Sequence, residues 1–318
     1  MANSAILPKR SFGLKPFALR GALAVLTVVA AQAGGVSAHA QSSGAPKPGP
    51  TPQAFLLDGA SLQTTTIQNV VSGVKAGEVL VLAEEHGNPL HYANQKAALA
   101  ALAATGRCTV SVGLEFLSWT VQDATSAYFD GLISEQEFLS RANWGGNPFV
   151  DYRDQALFPK TTGGRLIGVN STRTLSSAIA KKGVDGLSAE EQAELPPHFT
   201  VGSAHYRERF DAIMGGHGGG PAMDRYFAAQ SVWDDTMAWQ AKTFLDLNPT
   251  HCLAIIVGDF HAAWGGGLPD RLKARGVAVT TISQMEIRHH SQETLKEAVG
   301  PHPVYGVRGD AIWLSLTP

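Results

Sequence analysis

The chain has 318 residues, 25 Lys plus Arg against 27 Asp plus Glu for a formal net charge of −2, and a hydrophobic fraction of 44%. That composition is globular and excludes a disordered or collagen-like chain. Four basic residues (Lys9, Arg10, Lys15, Arg20) and no acid stand in the first forty positions, so residues 41–318 hold 21 basic against 27 acidic residues, a net of −6, which excludes nucleic acid as an expected partner.

In chain order, residues 1–40 predict a signal peptide. A basic stretch runs through Arg20, an apolar run from Gly21 to Ala31 follows, and Ala38-His39-Ala40 forms a small-x-small cleavage site before Gln41. The apolar run is about half of the ~20 residues a spanning helix needs, so no stable membrane anchor is expected in the mature chain. The expected location is exported, periplasmic or secreted. Residues 41–54 are rich in Pro, Gly and Ser and predict a disordered linker. Residues 55–318 remain as one large α/β domain.

Four short apolar segments then end in polar residues: Val79–Leu82 before Ala83-Glu84-Glu85-His86, Thr109–Leu114 before Glu115, Leu166–Val169 before Asn170, and Leu253–Val257 before Gly258-Asp259-Phe260-His261. Such runs predict strands covered on both faces. Asn88-Pro89 caps a helix ending near Gly106, and Leu268-Pro269-Asp270 opens another that stops at Gly276. Val277–Ile282 and Ala311–Leu316 predict two further strands. The alternation predicts an α/β fold: a mainly parallel sheet flanked by helices, with an inserted helical lobe at about 116–160 and 187–250. Within that lobe, Met223–Leu247 reads as one long helix after the glycine-rich break 215–221. Cys108 and Cys252 both precede predicted strands, which places them at the amino-terminal edge of the sheet and predicts a disulfide if those strands are neighbours.

A parallel sheet gathers its carboxyl ends on one side, where ligands bind. Glu84, Glu85, His86, Glu115, Asn170, Asp259 and His261 all fall at such ends. Two imidazoles among carboxylates suit a divalent metal held by His86, Glu115 and His261. They equally suit an acid/base group of Glu84, His86, Glu115 and His261 that activates water. Trp233 and Met237, four apart on the long helix, read as core.

The segments Leu82-Ala83-Glu84-Glu85-His86-Gly87-Asn88-Pro89, Gly113-Leu114-Glu115-Phe116, Ala229-Gln230-Ser231-Val232-Trp233-Asp234-Asp235-Thr236-Met237-Ala238 and Gly258-Asp259-Phe260-His261 resemble the ChaN-like haem-binding uptake family of the Tiki and erythromycin-esterase-like superfamily. The resemblance implies a parallel-sheet α/β core, haem binding, a part in iron uptake and, in some members, a homodimer around stacked haems. It also implies a polar pocket that in the esterase and peptidase branches carries hydrolysis. Two departures stand out: Ala83 replaces the family's usual Gly, and no lipoprotein Cys follows the signal.

Haem needs an axial donor and an apolar slot. Outside the strand-end pocket this sequence offers His205, Tyr206, Tyr226 and, in the glycine-rich break, His217; His217 with Tyr206 is the favoured pair. The expected function is therefore an exported haem-binding protein. The alternative is a hydrolase of an ester or amide that uses the strand-end pocket.

Overall fold

A computed structural model describes residues 53–145, 147–214, 220–288 and 290–316. The expected signal peptide, the linker up to residue 52 and His217 lie outside the described residues. The strands are β1 (Gln53–Asp58), β2 (Val79–Glu84), β3 (Thr109–Ser118), β4 (Leu166–Asn170), β5 (His251–Gly258), β6 (Val279–Glu286) and β7 (Ala311–Leu316). They form one sheet in the order β1-β7-β6-β2-β5-β3-β4. All neighbouring pairs are parallel except β1 with β7. The α/β class and mainly parallel sheet are as the sequence predicts.

The expected linker ends earlier than residue 54. Gln53 and Ala54 already pair with Leu316 and Ser315 in the antiparallel edge, because Phe55-Leu56-Leu57 can bury only if the backbone before them is also hydrogen-bonded.

Period-2 alternation sorts the central strands onto two cores. Leu80, Leu82, Val110, Val112, Leu114, Ala254 and Ile256 face one way, against Ala98, Leu99 and Leu102 of the helix Pro89–Ala104. That helix starts where the sequence predicts: Asn88 Oδ1 accepts from Leu90 N at 3.0 Å, with Pro89 in the first turn. The aromatic residues Tyr128, Phe138, Phe149 and Tyr152, from the insertion after β3, join this face. Val79, Val81, Ala83, Leu253, Ile255 and Val257 face the other way, against Met237, Ala238 and Ala241 of the 27-residue helix Pro221–Leu247. The two helical insertions thus divide between the two faces of the sheet rather than joining into one body.

From β2 the chain passes over β5 to β3 and β4, then returns through β5 and crosses to β6 on the far side of β2. The direction of winding reverses around β2 and β5, and their carboxyl ends open a crevice. At the opposite edge, Cys108 and Cys252 form the expected disulfide with Cα atoms 5.6 Å apart. Their neighbours Thr109 and His251 are paired in register across β3 and β5.

Candidate functional site

Four of the predicted residues meet at the crevice. Glu84, the last residue of β2, is only 1% exposed. Its carboxylate accepts hydrogen bonds from His86 Nδ1 at 2.7 Å, from the Gln95 amide and from the Tyr152 hydroxyl. Burying a carboxylate requires such donors. Gln155 Nε2 in turn donates to Gln95 Oε1 at 3.0 Å, which holds the Gln95 amide toward Glu84.

His86 Nε2 lies 4.0 Å from Glu115 Oε2. Glu115 accepts the Gly258 N–H at 2.6 Å and faces His261 Nε2 at 3.4 Å. On the other side of His261, Nδ1 donates to Asp234 Oδ1 at 2.7 Å. The Gln230 amide lies 3.0 Å from the same nitrogen and donates to the Tyr206 hydroxyl at 3.1 Å. The Trp233 ring stacks against His261 with centroids 5.8 Å apart. The result is an alternating chain of carboxylates and imidazoles: Glu84, His86, Glu115, His261, Asp234.

Glycine makes this convergence possible. A Cβ on Gly258 would stand 3.1 Å from His86 Nε2 and 3.5 Å from Glu115 Oε2, so any side chain at the end of β5 would force the two apart.

Electrostatics follow from the alternation. The Glu84 hydrogen bond raises the His86 pKa, with burial acting against it. Burial alone would lower His261, but Asp234 and Glu115 outweigh it and hold the imidazole at about 10, so it is a cation at neutral pH. Burial works to raise Glu115 too, yet His261 and the Gly258 N–H keep it below the usual carboxylate range. Asp234, fully buried, is pushed up by desolvation.

Other expected members stand elsewhere. Asp259 turns away, ion-paired with Arg308 and accepting from Ser283 Oγ at 2.5 Å. Glu85 points to the opposite side of the strand end, where its Oε2 accepts Glu286 N at 3.3 Å. Asn170 ties β4 to β3 by donating to the Glu115 carbonyl at 2.8 Å. Tyr206, proposed for haem, is 1% exposed and packs among Phe227 and Phe260. Its hydroxyl is engaged by Gln230, which also reaches His261, and one edge of the ring borders a small cavity of ≈ 100 Å³ with His205, Arg209 and Trp264.

The divalent-metal expectation for His86, Glu115 and His261 gains no support: among the described residues no group of three or more His, Cys, Asp or Glu is arranged to hold an ion. Each imidazole nitrogen faces a carboxylate, at 2.7 Å for both Nδ1 atoms and at 3.4 and 4.0 Å for Nε2 of His261 and His86.

Sequence reasoning missed Asp234, Gln230, Gln95 and Tyr152. Asp234 and Gln230 are four apart and so share a face of the long helix, a usable signal given that both belong to the Ala229–Ala238 motif. Trp233 is not simply core: it lines the crevice and donates to Ser176 Oγ.

Residues 70–272 match the family model described as haem-binding uptake, Tiki superfamily, ChaN. The chain belongs to this family. Among solved structures, the ChaN fold is represented by "Cofacial heme binding to ChaN of Campylobacter jejuni". That structure is 17% identical, covers 82% of this chain and 96% of its own, and superposes with a TM-score of 0.60. A mutant of the erythromycin esterase EreC in its open conformation is 11% identical over 78% of this chain and 92% of its own, with a TM-score of 0.46. No curated protein matches. The ChaN likeness establishes the shared fold. No helix among the described residues is long and apolar enough to cross a membrane.

Proposed function

We propose that the protein binds haem and serves haem or iron uptake outside the cytoplasm. The observation that carries this reading, beside family membership, is an apolar groove of ≈ 240 Å³ lined by Phe210, Met214, Tyr226, Ala229 and Trp233. Met214 and Tyr226 in its lining are 42% and 46% exposed, an apolar surface of the kind left open where a ligand or partner covers it. The groove fits the chemistry of a porphyrin face, and the Tyr226 phenol and Met214 thioether are axial donors beside it. His217 stays a candidate from the sequence, three residues after Met214. Tyr226 replaces Tyr206 in this role because it is the accessible phenol.

The test is a hemin titration of the chain beginning at Gln41. A Soret band that saturates at a fixed stoichiometry, and shifts in Tyr226→Phe, Met214→Leu or His217→Ala, is expected; a stoichiometric titration without spectral change would sink the proposal. Sedimentation with and without hemin reads the expected homodimer. Export with cleavage after Ala40 is part of the same reading, and the mass of the mature chain from an expressing cell decides it.

A second reading, hydrolysis of an ester or amide, is favoured by one observation. His86 is the accessible member of the buried chain, and Glu84 fixes its Nδ1 so that Nε2 is the proton-accepting end. Hydrolysis of p-nitrophenyl acetate that is lost in His86→Ala supports this reading, and equal rates in both proteins remove it.

A further inference from the structure

Beyond the haem groove, a second cavity opens between the carboxyl ends of β3 and β4. It measures ≈ 270 Å³, and its lining differs in kind from the groove: hydroxyls and amides of Ser118, Thr120, Asn143 and Thr174 surround the aromatic faces of Phe116 and Trp233. A porphyrin gains nothing from such a wall. A compact polar molecule does, because each lining group can exchange a water for a ligand hydrogen bond.

Two charged residues line the cleft, Glu115 and Arg173. The Glu115 charge is already matched by His261 at 3.4 Å. Arg173 is exposed and has no ion pair or side-chain hydrogen bond among the described residues. It lies against the backbone of Gly145, where an added Cβ would stand 3.2 Å from both Nη1 and Nη2. Glycine at 145 thus leaves room for the guanidinium, and among the described residues no carboxylate pairs with it. The planar fork of a guanidinium matches a carboxylate with two parallel hydrogen bonds.

We propose that this cleft binds a small carboxylate-bearing molecule with a polar body, whose carboxylate pairs with Arg173 while its body lies between Phe116 and Trp233. A single cation opposite a site that already contains Glu115 suits one negative charge better than a phosphate dianion. The proposal concerns a ligand other than haem and stands independently of what fills the apolar groove.

The test is thermal unfolding of the mature chain, without hemin, against a matched pair of probes, N-acetylalanine and its uncharged amide, with inorganic phosphate as a third. A ligand that binds the native state raises Tm in proportion to its occupancy. The acid should give a saturable rise and the amide little. In Arg173→Ala the apparent affinity for the acid should fall about tenfold. Gly145→Ala, which keeps the charge but crowds the guanidinium, should weaken the acid as well. Both variants should still titrate with hemin as the parent does, which separates this proposal from the haem reading. Equal shifts from acid and amide, a shift from phosphate as large as that from the acid, an acid response that survives Arg173→Ala, or no response to any probe would overturn it.

Discussion

The strand-end charges and the apolar groove sit on either side of Trp233 and Gln230, and they are finished to different degrees. In the first, three carboxylates and two imidazoles alternate at 2.7 to 4.0 Å, nearly all out of solvent. In the second, Met214 and Tyr226 stand open. A polar network whose members pair with one another resists displacement, since removing one partner strands another in a low-dielectric setting. Apolar side chains left in water carry the opposite bias and gain on being covered. The comparison therefore assigns rigidity to the strand ends and ligand capacity to the helices beside them.

The sharpest way to break this contrast is His261→Ala. With its cation gone, Asp234 remains buried without a counter-charge and Glu115 keeps only His86 at 4.0 Å and the Gly258 N–H, and a loss of about 3–5 kcal/mol is expected in urea unfolding. Hemin binding in the surviving folded protein should be little changed. A loss below about 1 kcal/mol, the range of exposed ion pairs, would show that the network is not what fixes the crevice.

Next in size is the pH dependence. His261 is raised from 6.5 to about 10 by its carboxylates, so its stabilisation is complete below pH 6.5 and is lost as pH climbs toward 10. Asp234, also raised, costs stability as pH climbs from the ordinary carboxylate range, on the acid side of this window. Urea midpoints should therefore fall between pH 7 and 10 in the parent and run flatter in His261→Gln. A parent curve as flat as the variant's would contradict the assignment of a buried cation.

The smaller effect lies in the groove. Replacing Met214 and Tyr226 together by Ala should shift unfolding by no more than about 0.5 kcal/mol, as for exposed positions, yet weaken hemin about tenfold. If the double variant instead destabilised the fold and bound hemin normally, the two regions would have exchanged roles.

Much of the fold is legible in the sequence because buried parallel strands announce themselves as uninterrupted apolar runs, as Leu253–Val257 does. β1 is not, since a six-residue antiparallel edge following a Pro-rich stretch carries little pattern of its own. At the site, convergence on the strand ends places Glu84, His86, Glu115 and His261 correctly, but it also admits Glu85 and Asp259. Alternation could have removed Glu85: residues two apart share a side of a strand, so Glu84 and His86 go together and Glu85 does not. Asp259 could not be removed this way, because it begins a 3₁₀ turn whose direction depends on Arg308, forty-nine positions away. Asp234 could be read as sharing a helix face with Gln230 but not as the partner of His261, and Tyr152 was beyond reach, for a related reason. A helix face can be read from sequence, but the strand end it will meet is set only by how the helices pack.

Trp233 has a consequence of its own. One indole walls both the apolar groove and the polar cleft, leans on the His261 cation and is pinned through its N–H to Ser176. A ligand in either cavity that turns this ring alters the shape offered to the other. Thermodynamic reciprocity then requires the second ligand to act back on the first by the same factor. Occupancy on one side of a single residue would be readable as affinity on the other.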